Sequence, residues 1–312
     1  MADAPPRVSV VVPVHDGAAV IATCLEALLA LDYPRRALEI VVVDNRSTDA
    51  TAALVGRYPV RLVREAGVQS SYAARNRGVR VATGAVLAFT DADCVPDPGW
   101  LTALVAPLAS EEVGGVAGGI EAYRARTTVE RYQARRAIRA ERAYAHPVLP
   151  FAQTANVAYP RALVESLGGF DASLPFGGDL DFSWRMQRET GRRLAFEPAA
   201  VVRHQHRSTW HGLFKLYEKN AIANCLLAGR YPHYADYPSP RTFAWLGREL
   251  ARSALGGALR RPCTDGAAWD EHYAEVVRYA GEMSGWLRWH VGAVKPPRVS
   301  PAYPLDADEV AA

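Results

Sequence analysis

The sequence predicts an α/β protein built on a mostly parallel, doubly wound sheet flanked by helices, with a C-terminal helical extension. Segments rich in β-branched residues alternate with helical segments through the first third of the 312 residues, an order typical of parallel sheets with crossover helices. Strand patterns fade after about residue 207, and helical patterns follow. The net charge of +3 and the 22% of charged residues are those of an ordinary globular protein and indicate no nucleic-acid partner.

Four short apolar runs predict the first strands, over residues 8–14, 38–44, 60–63 and 85–90. Apolar residues at helical spacing predict helices over 18–31 and 72–82. Ser47 or Thr48 is expected to cap a further helix after the second strand. Parallel sheets bind ligands at the carboxyl ends of their strands, so polar residues that directly follow these runs are the candidates for function.

The remainder of the chain predicts fewer strands and more helices. The middle is expected to hold a strand over 114–123, an extended segment over 154–159 and helices over 124–142, 161–167 and 179–190. Further helices are predicted over 209–227, 242–259 and 267–289, and the tail from 296 is expected to be loosely held.

Asp91 and Asp93 follow the fourth predicted strand, with one residue between them. Two carboxylates at the mouth of a parallel sheet suit a hard divalent cation such as Mg²⁺ or Mn²⁺, which would bridge a diphosphate. The alternative is a solvated turn. The strand-end position, followed by a Pro- and Gly-containing loop that ends at Trp100, favours the metal site.

Two other polar segments occupy comparable positions. Asp44 and Asn45 end the second strand and are expected to bind the polar edge of a base or a ribose, unless they only lead into a capped helix. Asp179 and Asp181 follow a Gly pair at a helix start, where one of them would serve as a general base. The alternative for Asp179 is helix capping.

His204 directly follows an apolar strand and is expected to complete the coordination of a metal held by Asp93, although a lone histidine is more often structural. Trp100 and Trp184 are candidates for stacking on a sugar, and with Arg185 they are placed on the acceptor side of the site.

Seven segments in this order resemble glycosyltransferase family 2, which has the GT-A fold. The resemblance covers roughly residues 7–207 and rests on the ordered set of segments rather than on one motif. They are residues 8–14 (VSVVVPV), 41–49 (VVVDNRSTD), 73–78 (AARNRG), 89–97 (FTDADCVPD), 167–171 (LGGFD), 179–185 (DLDFSWR) and 197–204 (EPAAVVRH).

The resemblance implies an inverting, metal-dependent transfer of a sugar from a nucleoside diphosphate, with a UDP-sugar as the expected donor. It implies these roles: Asp93 and His204 on the metal, Asp91 on the ribose or nucleotide side, Pro13, Asp44 and Asn45 around the base, Arg75 near the nucleotide, and Asp179 as catalytic base. Many relatives have a second acid at the position of Asn45, which leaves the base open, and Glu at the position of Gly178. The base is therefore placed on Asp179, with Asp181 as second choice.

The resemblance also divides the chain into a nucleotide-sugar-binding and catalytic domain (1–207), a helical extension (208–295) and a tail (296–312). The acceptor is expected to be a glycan, a lipid-linked sugar or a small molecule. Residues 124–142 contain seven Arg and are expected to meet either an anionic membrane surface or phosphorylated lipid, or else solvent or another subunit. The sequence fixes no oligomeric state.

A cytoplasmic location is expected, with peripheral contact at the inner face of the membrane as one interpretation of 124–142. No apolar run approaches the ~20 residues of a membrane helix, and the four cysteines form no CxxC pair. A catalytically inactive sugar-nucleotide-binding protein is the main alternative. A nucleotidyltransferase and a dehydrogenase are less compatible, because residues 15–17 (HDG) form neither a basic glycine-rich loop nor GxGxxG.

Overall fold

The computed structural model of the protein describes residues 4–136, 140–231, 240–260 and 266–294. Two parts of the sequence prediction lie outside the described residues: the tail 296–312, and residues 137–139 of the helix expected over 124–142. The α/β architecture is confirmed, with helices on both faces of one sheet and three long helices at the C-terminal end.

One mixed sheet of eight strands forms the centre of the molecule, in the order β3-β2-β1-β4-β7-β6-β8-β5. The β3, β2, β1 and β4 neighbours are parallel, and β6 is parallel to β8, whereas β7 and β5 run antiparallel to their neighbours. The strands are β1 Val8–Val14, β2 Leu38–Asp44, β3 Arg61–Arg64, β4 Val86–Thr90, β5 Cys94–Pro96, β6 Val113–Ala122, β7 Asn156–Pro160 and β8 Arg193–His204.

Eight of the described helices precede the last strand in the chain, and three more follow it. Their bounds are α1 Ile21–Leu29, α2 Thr51–Val55, α3 Ser71–Val81, α4 Trp100–Val105, α5 Thr128–Arg136, α6 Ala140–Tyr144, α7 Arg161–Ser166, α8 Gly178–Thr190, α9 Trp210–Arg230, α10 Pro240–Arg260 and α11 Gly266–His290. Short 3₁₀ turns cover Arg35–Ala37 and Ala106–Ala109.

The two faces of the sheet carry separate apolar cores, which follow from the period-2 alternation of strand residues. Val10 and Val12 of β1 pack in one core with Leu25 of α1, and Val11 packs in the other with Ala74 of α3. Because both faces are covered, the strand sequences are continuously apolar rather than alternating.

The helix expected after β2 begins later than predicted. Neither Ser47 nor Thr48 caps it, because the side chain of Ser47 and the backbone of Thr48 bind Asp16 in the loop after β1. The helix starts at Thr51, with Asp49 accepting a hydrogen bond from the Thr51 amide at 2.9 Å. Residues 45–50 therefore form a loop held against the loop that follows β1.

The apolar side of the arginine-rich segment is covered by protein. Val129 and Tyr132 of α5 are buried against Leu213 of α9 and Ala274 of α11. These side chains are therefore not available to a lipid surface, whereas Arg124, Arg126 and Arg131 of this segment are exposed. Within the described residues, no helix is both long and apolar enough to cross a bilayer.

Helix α11 lies close against α9 because two glycines one turn apart face it. A Cβ atom at Gly281 would lie 2.6 Å from the Phe214 carbonyl oxygen, and one at Gly285 would lie 2.3 Å from that of Glu218. The buried Glu218 carboxylate joins the two helices, since it accepts hydrogen bonds from Ser284 at 2.7 Å and pairs with Arg288 at 3.2 Å. The buried carboxylate of Glu218 on α9 is therefore also bound by α11.

The charge of Glu218 makes this contact pH-dependent. Burial pushes the pKa of Glu218 up, but bonds from Lys215, Ser284 and Arg288 outweigh burial and lower it to about 2. A lowered pKa in the folded state adds stability that is present above the ordinary value of 4.5 and lost as the pH falls toward 2.

We expect Glu218→Gln to lower the free energy of unfolding by about 2 kcal/mol at pH 7, with a smaller difference from wild type at pH 3. Urea unfolding at both pH values measures this, with the exposed Glu189→Gln as control. A difference that is equal at the two pH values would show that the charge of Glu218 does not hold the helices.

Candidate active site

The strand order places several predicted site residues along one edge of the sheet. The order reverses between β1 and β4, and in sheets of this type ligands bind at the carboxyl ends of the strands beside such a reversal. Pro13 lies near the end of β1 opposite Val43, Asp44 ends β2, and Asp91 directly follows β4. The structure therefore brings together, along one edge, polar residues that were selected because they follow predicted strands.

The antiparallel pairing of β5 with β8 brings the two predicted metal ligands together. Cys94 pairs with His204, and Nε2 of His204 lies 3.5 Å from Oδ2 of Asp93. The side chain of Asp93 is 39% exposed, so this corner is open to a ligand. One ligand atom from each of Asp93, Cys94 and His204 lies within 4.8 Å of the others, a spacing that suits one metal ion.

The chemistry of this corner fits a divalent cation held by oxygen and imidazole nitrogen. Burial raises the pKa of Asp93, the attraction of His204 opposes this, and the charge of Asp91 adds to the rise. A cation would compensate that crowding of negative charge. Burial also raises the pKa of Cys94 well above its usual value, so its thiol stays protonated and is a poor ligand. Asp93 and His204, with Asp91 nearby, are the residues that fit Mn²⁺ or Mg²⁺.

Arg75 supplies a buried positive charge beside these carboxylates. It is 3% exposed, and its Nη2 lies 2.5 Å from Oδ1 of Asp91. Its guanidinium lies over the Tyr72 ring, 5.5 Å from the centroid, and its buried Nε has no hydrogen-bond partner in the described part of the chain. A buried donor without a partner is costly, and a ligand oxygen would satisfy it.

Asp179 lies in the first turn of α8 and does not cap it. The cap residue is Gly177, whose φ of 75° favours glycine, and Asp179 Oδ1 accepts a hydrogen bond from the neighbouring Leu180 amide at 3.0 Å. Burial raises the pKa of Asp179, while the Leu180 amide and the charge of Arg75 oppose that rise. Gly178, next to Asp179, packs against the Tyr72 ring, and Arg75 lies over the same ring, so Asp179 lies close to the Arg75–Asp91 pair at the β4 end.

The side chain of Tyr72 accounts for the glycine that precedes Asp179. A Cβ atom at Gly178 would lie 2.8 Å from the Tyr72 ring. The space that a larger residue would need at this position is therefore filled by an aromatic ring from α3.

Asp44 and Asn45 form a second, more buried part of the site. Asp44 is 2% exposed and accepts a hydrogen bond from the Ser47 amide at 3.1 Å. The side-chain nitrogen Nδ2 of Asn45 donates to the carbonyl oxygens of Glu65 and Val68 at 3.2 and 2.8 Å. Both amide hydrogens of Asn45 are thereby engaged, which leaves its side-chain oxygen as the acceptor for a ligand.

Two residues around Asn45 were missed from the sequence. His15 follows β1 and joins the Asn45 carbonyl oxygen at 3.0 Å to the Gln69 side chain at 2.9 Å. Glu65 accepts hydrogen bonds from the Gly67 and Val68 amides at 2.8 and 3.1 Å and so shapes the loop that faces Asn45. His15 occupies the same kind of strand-end position as the residues that were selected, so that rule would have found it.

Asp181, the second choice for the base, is wrong for that role in this structure. Its side chain is 0% exposed, with Arg185 Nε at 3.0 Å, Arg230 Nε at 3.2 Å and the Tyr231 hydroxyl at 2.6 Å. The carboxylate has no open side toward a substrate. Arg185 is likewise committed to structure rather than to an acceptor, since it also donates to the Leu167 and Gly169 carbonyl oxygens at 2.9 and 2.7 Å.

The two tryptophans expected on the acceptor side are both core residues. Trp100 is 0% exposed and its indole donates to Asn156 at 2.7 Å. Trp184 is 0% exposed and donates to the Leu149 carbonyl oxygen at 2.9 Å. A ring without exposed surface offers no face for a sugar, so the stacking expectation fails for both.

The fold and this edge of the sheet define a protein of the nucleotide-sugar transferase class. The sequence model of Glycosyl transferase family 2 matches residues 9–168, and the chain belongs to that family. Glycosyltransferase AglE of Haloferax volcanii is 32% identical over 209 residues, which are 65% of this chain and 68% of the relative. Pre-mycofactocin glycosyltransferase of Mycobacterium tuberculosis is 30% identical over 64% of this chain, but the match spans only 43% of that relative. The protein is a glycosyltransferase.

Solved structures agree with the fold. The mannosyltransferase PcManGT of Pyrobaculum calidifontis, in complex with GDP-Man and Mn²⁺, superposes with a TM-score of 0.62 at 25% identity, over 91% of this chain and 86% of that one. The M. tuberculosis glucosyl-3-phosphoglycerate synthase, solved with Mn²⁺, UDP and phosphoglyceric acid, has a TM-score of 0.52 at 22% identity over 72% of this chain and 78% of its own. At 22% identity, the similarity to the synthase shows only the GT-A fold.

An ion-pair network around two buried carboxylates ties the helix of Asp179 to the end of α9. Arg230 joins Asp181 of α8 to Asp171, whose Oδ2 lies 2.6 Å from Arg230 Nη1. Tyr231 and Leu227 pack with Leu180 and Trp184 of α8 in a small apolar cluster around this network. The C-terminal helices therefore help to hold α8 in place.

We expect Arg230→Ala to lower the free energy of unfolding by about 2 kcal/mol, because it leaves two buried carboxylates with one cation fewer. Chemical denaturation measures the effect, and Arg230→Lys should recover part of it. The exposed Arg57→Ala serves as control, and equal stability of the two alanine variants would contradict the structural role of Arg230.

Proposed function

We propose that the protein transfers a sugar from a nucleoside diphosphate donor to an acceptor hydroxyl with inversion at the anomeric carbon. The observation that carries this proposal is the convergence of three groups at one sheet edge: the Asp93–His204 corner, the Arg75–Asp91 pair and the carboxylate of Asp179. The bound GDP-Man and Mn²⁺ of PcManGT, at 25% identity, support a nucleotide-sugar donor and a divalent metal.

The donor is oriented by the ends of β1, β2 and β4. The side-chain oxygen of Asn45 accepts a hydrogen bond from the base, and Asp44 and Pro13 are the neighbouring residues at the ends of β2 and β1. Asn45 does not select one base, so a UDP-sugar and a GDP-sugar both remain compatible with the site. The guanidinium of Arg75 lies where it can bind a donor oxygen through the Nε that lacks a partner.

Asp93 and His204, with Asp91 nearby, would hold Mn²⁺ or Mg²⁺. The bound ion would neutralise the charge that builds up on the leaving diphosphate. Arg75 adds a fixed positive charge on the same side, in a buried position where electrostatic stabilisation is stronger than in water.

Asp179 removes the proton from the acceptor hydroxyl as that oxygen attacks the sugar. A hydroxyl is a weak nucleophile at neutral pH, so proton removal is required. The raised pKa of Asp179 brings its basicity closer to the working pH. Direct attack on the face opposite the diphosphate inverts the anomeric centre.

We expect Asp179→Asn to reduce sugar transfer at least 1,000-fold while nucleotide binding changes less than threefold. Nucleoside diphosphate release from UDP- and GDP-sugars with Mn²⁺, together with calorimetry, measures both quantities. The exposed Asp32→Asn is the matched control. Near-normal turnover of Asp179→Asn would move the base to another residue, and nucleotide binding by a wild type that hydrolyses no donor would favour a non-catalytic binding protein.

We expect Asp93→Ala to remove the enhancement of nucleotide affinity by Mn²⁺, because it deletes the most exposed carboxylate of the metal corner. Titration calorimetry with UDP and GDP, with and without Mn²⁺, measures the effect against Asp32→Ala. An enhancement equal to that of wild type would show that the metal binds elsewhere.

A further inference from the structure

A cleft of about 560 Å³ lies beside the metal corner and has no role in donor binding as described above. The end of β6 forms its floor, α5 and α6 form one wall, and His206, just after β8, forms the other. Its volume falls within the range of roughly 300–1,000 Å³ found for small-molecule sites.

The side chain of His206 lies between the cleft and His204, the predicted metal ligand. The rings of His204 and His206 lie with their centroids 5.2 Å apart, so His206 separates the cleft from the Asp93–His204 corner. The Nδ1 atom of His206 is buried and lacks a hydrogen-bond partner among the described residues. A ligand in the cleft would supply that partner.

The polar and apolar groups of the cleft are mixed. Glu141 and Arg142 of α6 stand exposed at one side, and no ion pair involves either of them within the described ranges. Ile120 and several alanines, such as Ala134 and Ala145, supply the apolar surface between them. Hydroxyl groups are recognised by carboxylates and guanidinium groups, and small apolar side chains accommodate the C–H face of a ring.

From this geometry we infer that the cleft binds the acceptor, and that the part of the acceptor it holds is a neutral glycosyl unit. The inference rests on the proposed function, since it names the acceptor class for the same transfer. Arg142 and Glu141 hydrogen-bond the hydroxyls of this unit, and His206 contacts the end nearest the metal corner.

The charge of the lining separates a neutral sugar from a phosphorylated one. Two carboxylates, Glu121 and Glu141, face the cleft with one guanidinium, Arg142. Glu121 is additionally 3.6 Å from Arg203, which partly neutralises it. A phosphate ester would approach Glu141 at the cost of like-charge repulsion, whereas hydroxyl groups would donate to it.

The test measures nucleoside diphosphate release from UDP- and GDP-sugars with Mn²⁺, without acceptor and with each of two sets of probes. One set is the methyl glycosides of glucose, galactose and mannose, and the other is the corresponding sugar 6-phosphates. The variants are Arg142→Ala, Glu141→Gln and Ala145→Trp, which fills the cleft. Arg57→Ala and Ala53→Trp, both exposed and located in or just after α2, are the matched controls.

A methyl glycoside should stimulate release by the wild type, and the ratio of stimulated to unstimulated release should fall at least tenfold in the cleft variants but not in the controls. The loss in Arg142→Ala should appear chiefly as a higher KM for the glycoside. Stimulation by the sugar phosphates instead, stimulation by neither set, or cleft variants that behave like the controls would overturn the inference.

Saturation-transfer NMR with the same glycosides separates this inference from the proposed function, because it requires no turnover. Binding to the wild type that is lost in Ala145→Trp, in a protein that releases no nucleoside diphosphate, would support the cleft and contradict the catalytic proposal. Release of nucleoside diphosphate without binding of the glycoside would support the catalytic proposal and contradict the assignment of the cleft.

Discussion

The pairing of β5 with β8 is the contact on which the site depends. Three residues of β5 are enough to hold Asp93 against a histidine 111 positions later in the chain, because Cys94 and His204 are register partners. Backbone bonds continue this pairing on both sides, from Gln205 to Asp93 at 2.8 Å and from Asp97 to Val201 at 3.1 Å. A slip of one residue would turn His204 to the opposite face of the sheet and separate the predicted ligands.

The second constraint on the site is electrostatic. The site gathers Asp91 and Asp179 within reach of the buried guanidinium of Arg75, and the charge of Asp91 acts in turn on Asp93. Such crowding of carboxylates is unfavourable in the protein without ligand, and a divalent cation bound there would relieve part of it. The tight packing around the site, for example Tyr72 against Gly178, keeps these charges from moving apart.

The strand ends were the part of the site that the sequence could predict. Asp91, Asp93 and His204 follow apolar runs, and a parallel sheet brings such ends to one edge whatever the details of packing. The mixed second half of the sheet was less predictable, because β7 and β5 are short and lack the alternation with helices. For the arginine-rich segment 124–142, the sequence left a lipid surface, solvent and another subunit as alternatives. The partners of its few apolar residues, on α9 and α11, are distant in sequence and could not be predicted.

The roles of Asp181, Arg185, Trp100 and Trp184 depended on partners that local sequence does not reveal. Asp181 is enclosed by Arg230 and Tyr231, about 50 residues downstream, and the indole of Trp100 in α4 donates to Asn156 of β7. A carboxylate or an indole near a functional motif has the same local pattern whether it faces a ligand or the core. Only the tertiary contacts distinguish these cases.

The Arg230 network has a consequence for how this protein can be recombined with others. The segment that matches the family ends at residue 168, yet the carboxylates of Asp171 and Asp181 are neutralised from the end of α9. A chimera that joins residues 1–207 to a foreign C-terminal module would therefore inherit two buried anions without their cation. A C-terminal module from another protein can therefore replace this one only if it brings its own cation for these carboxylates. Substitutions at Arg230 should accordingly occur together with substitutions at the two aspartates.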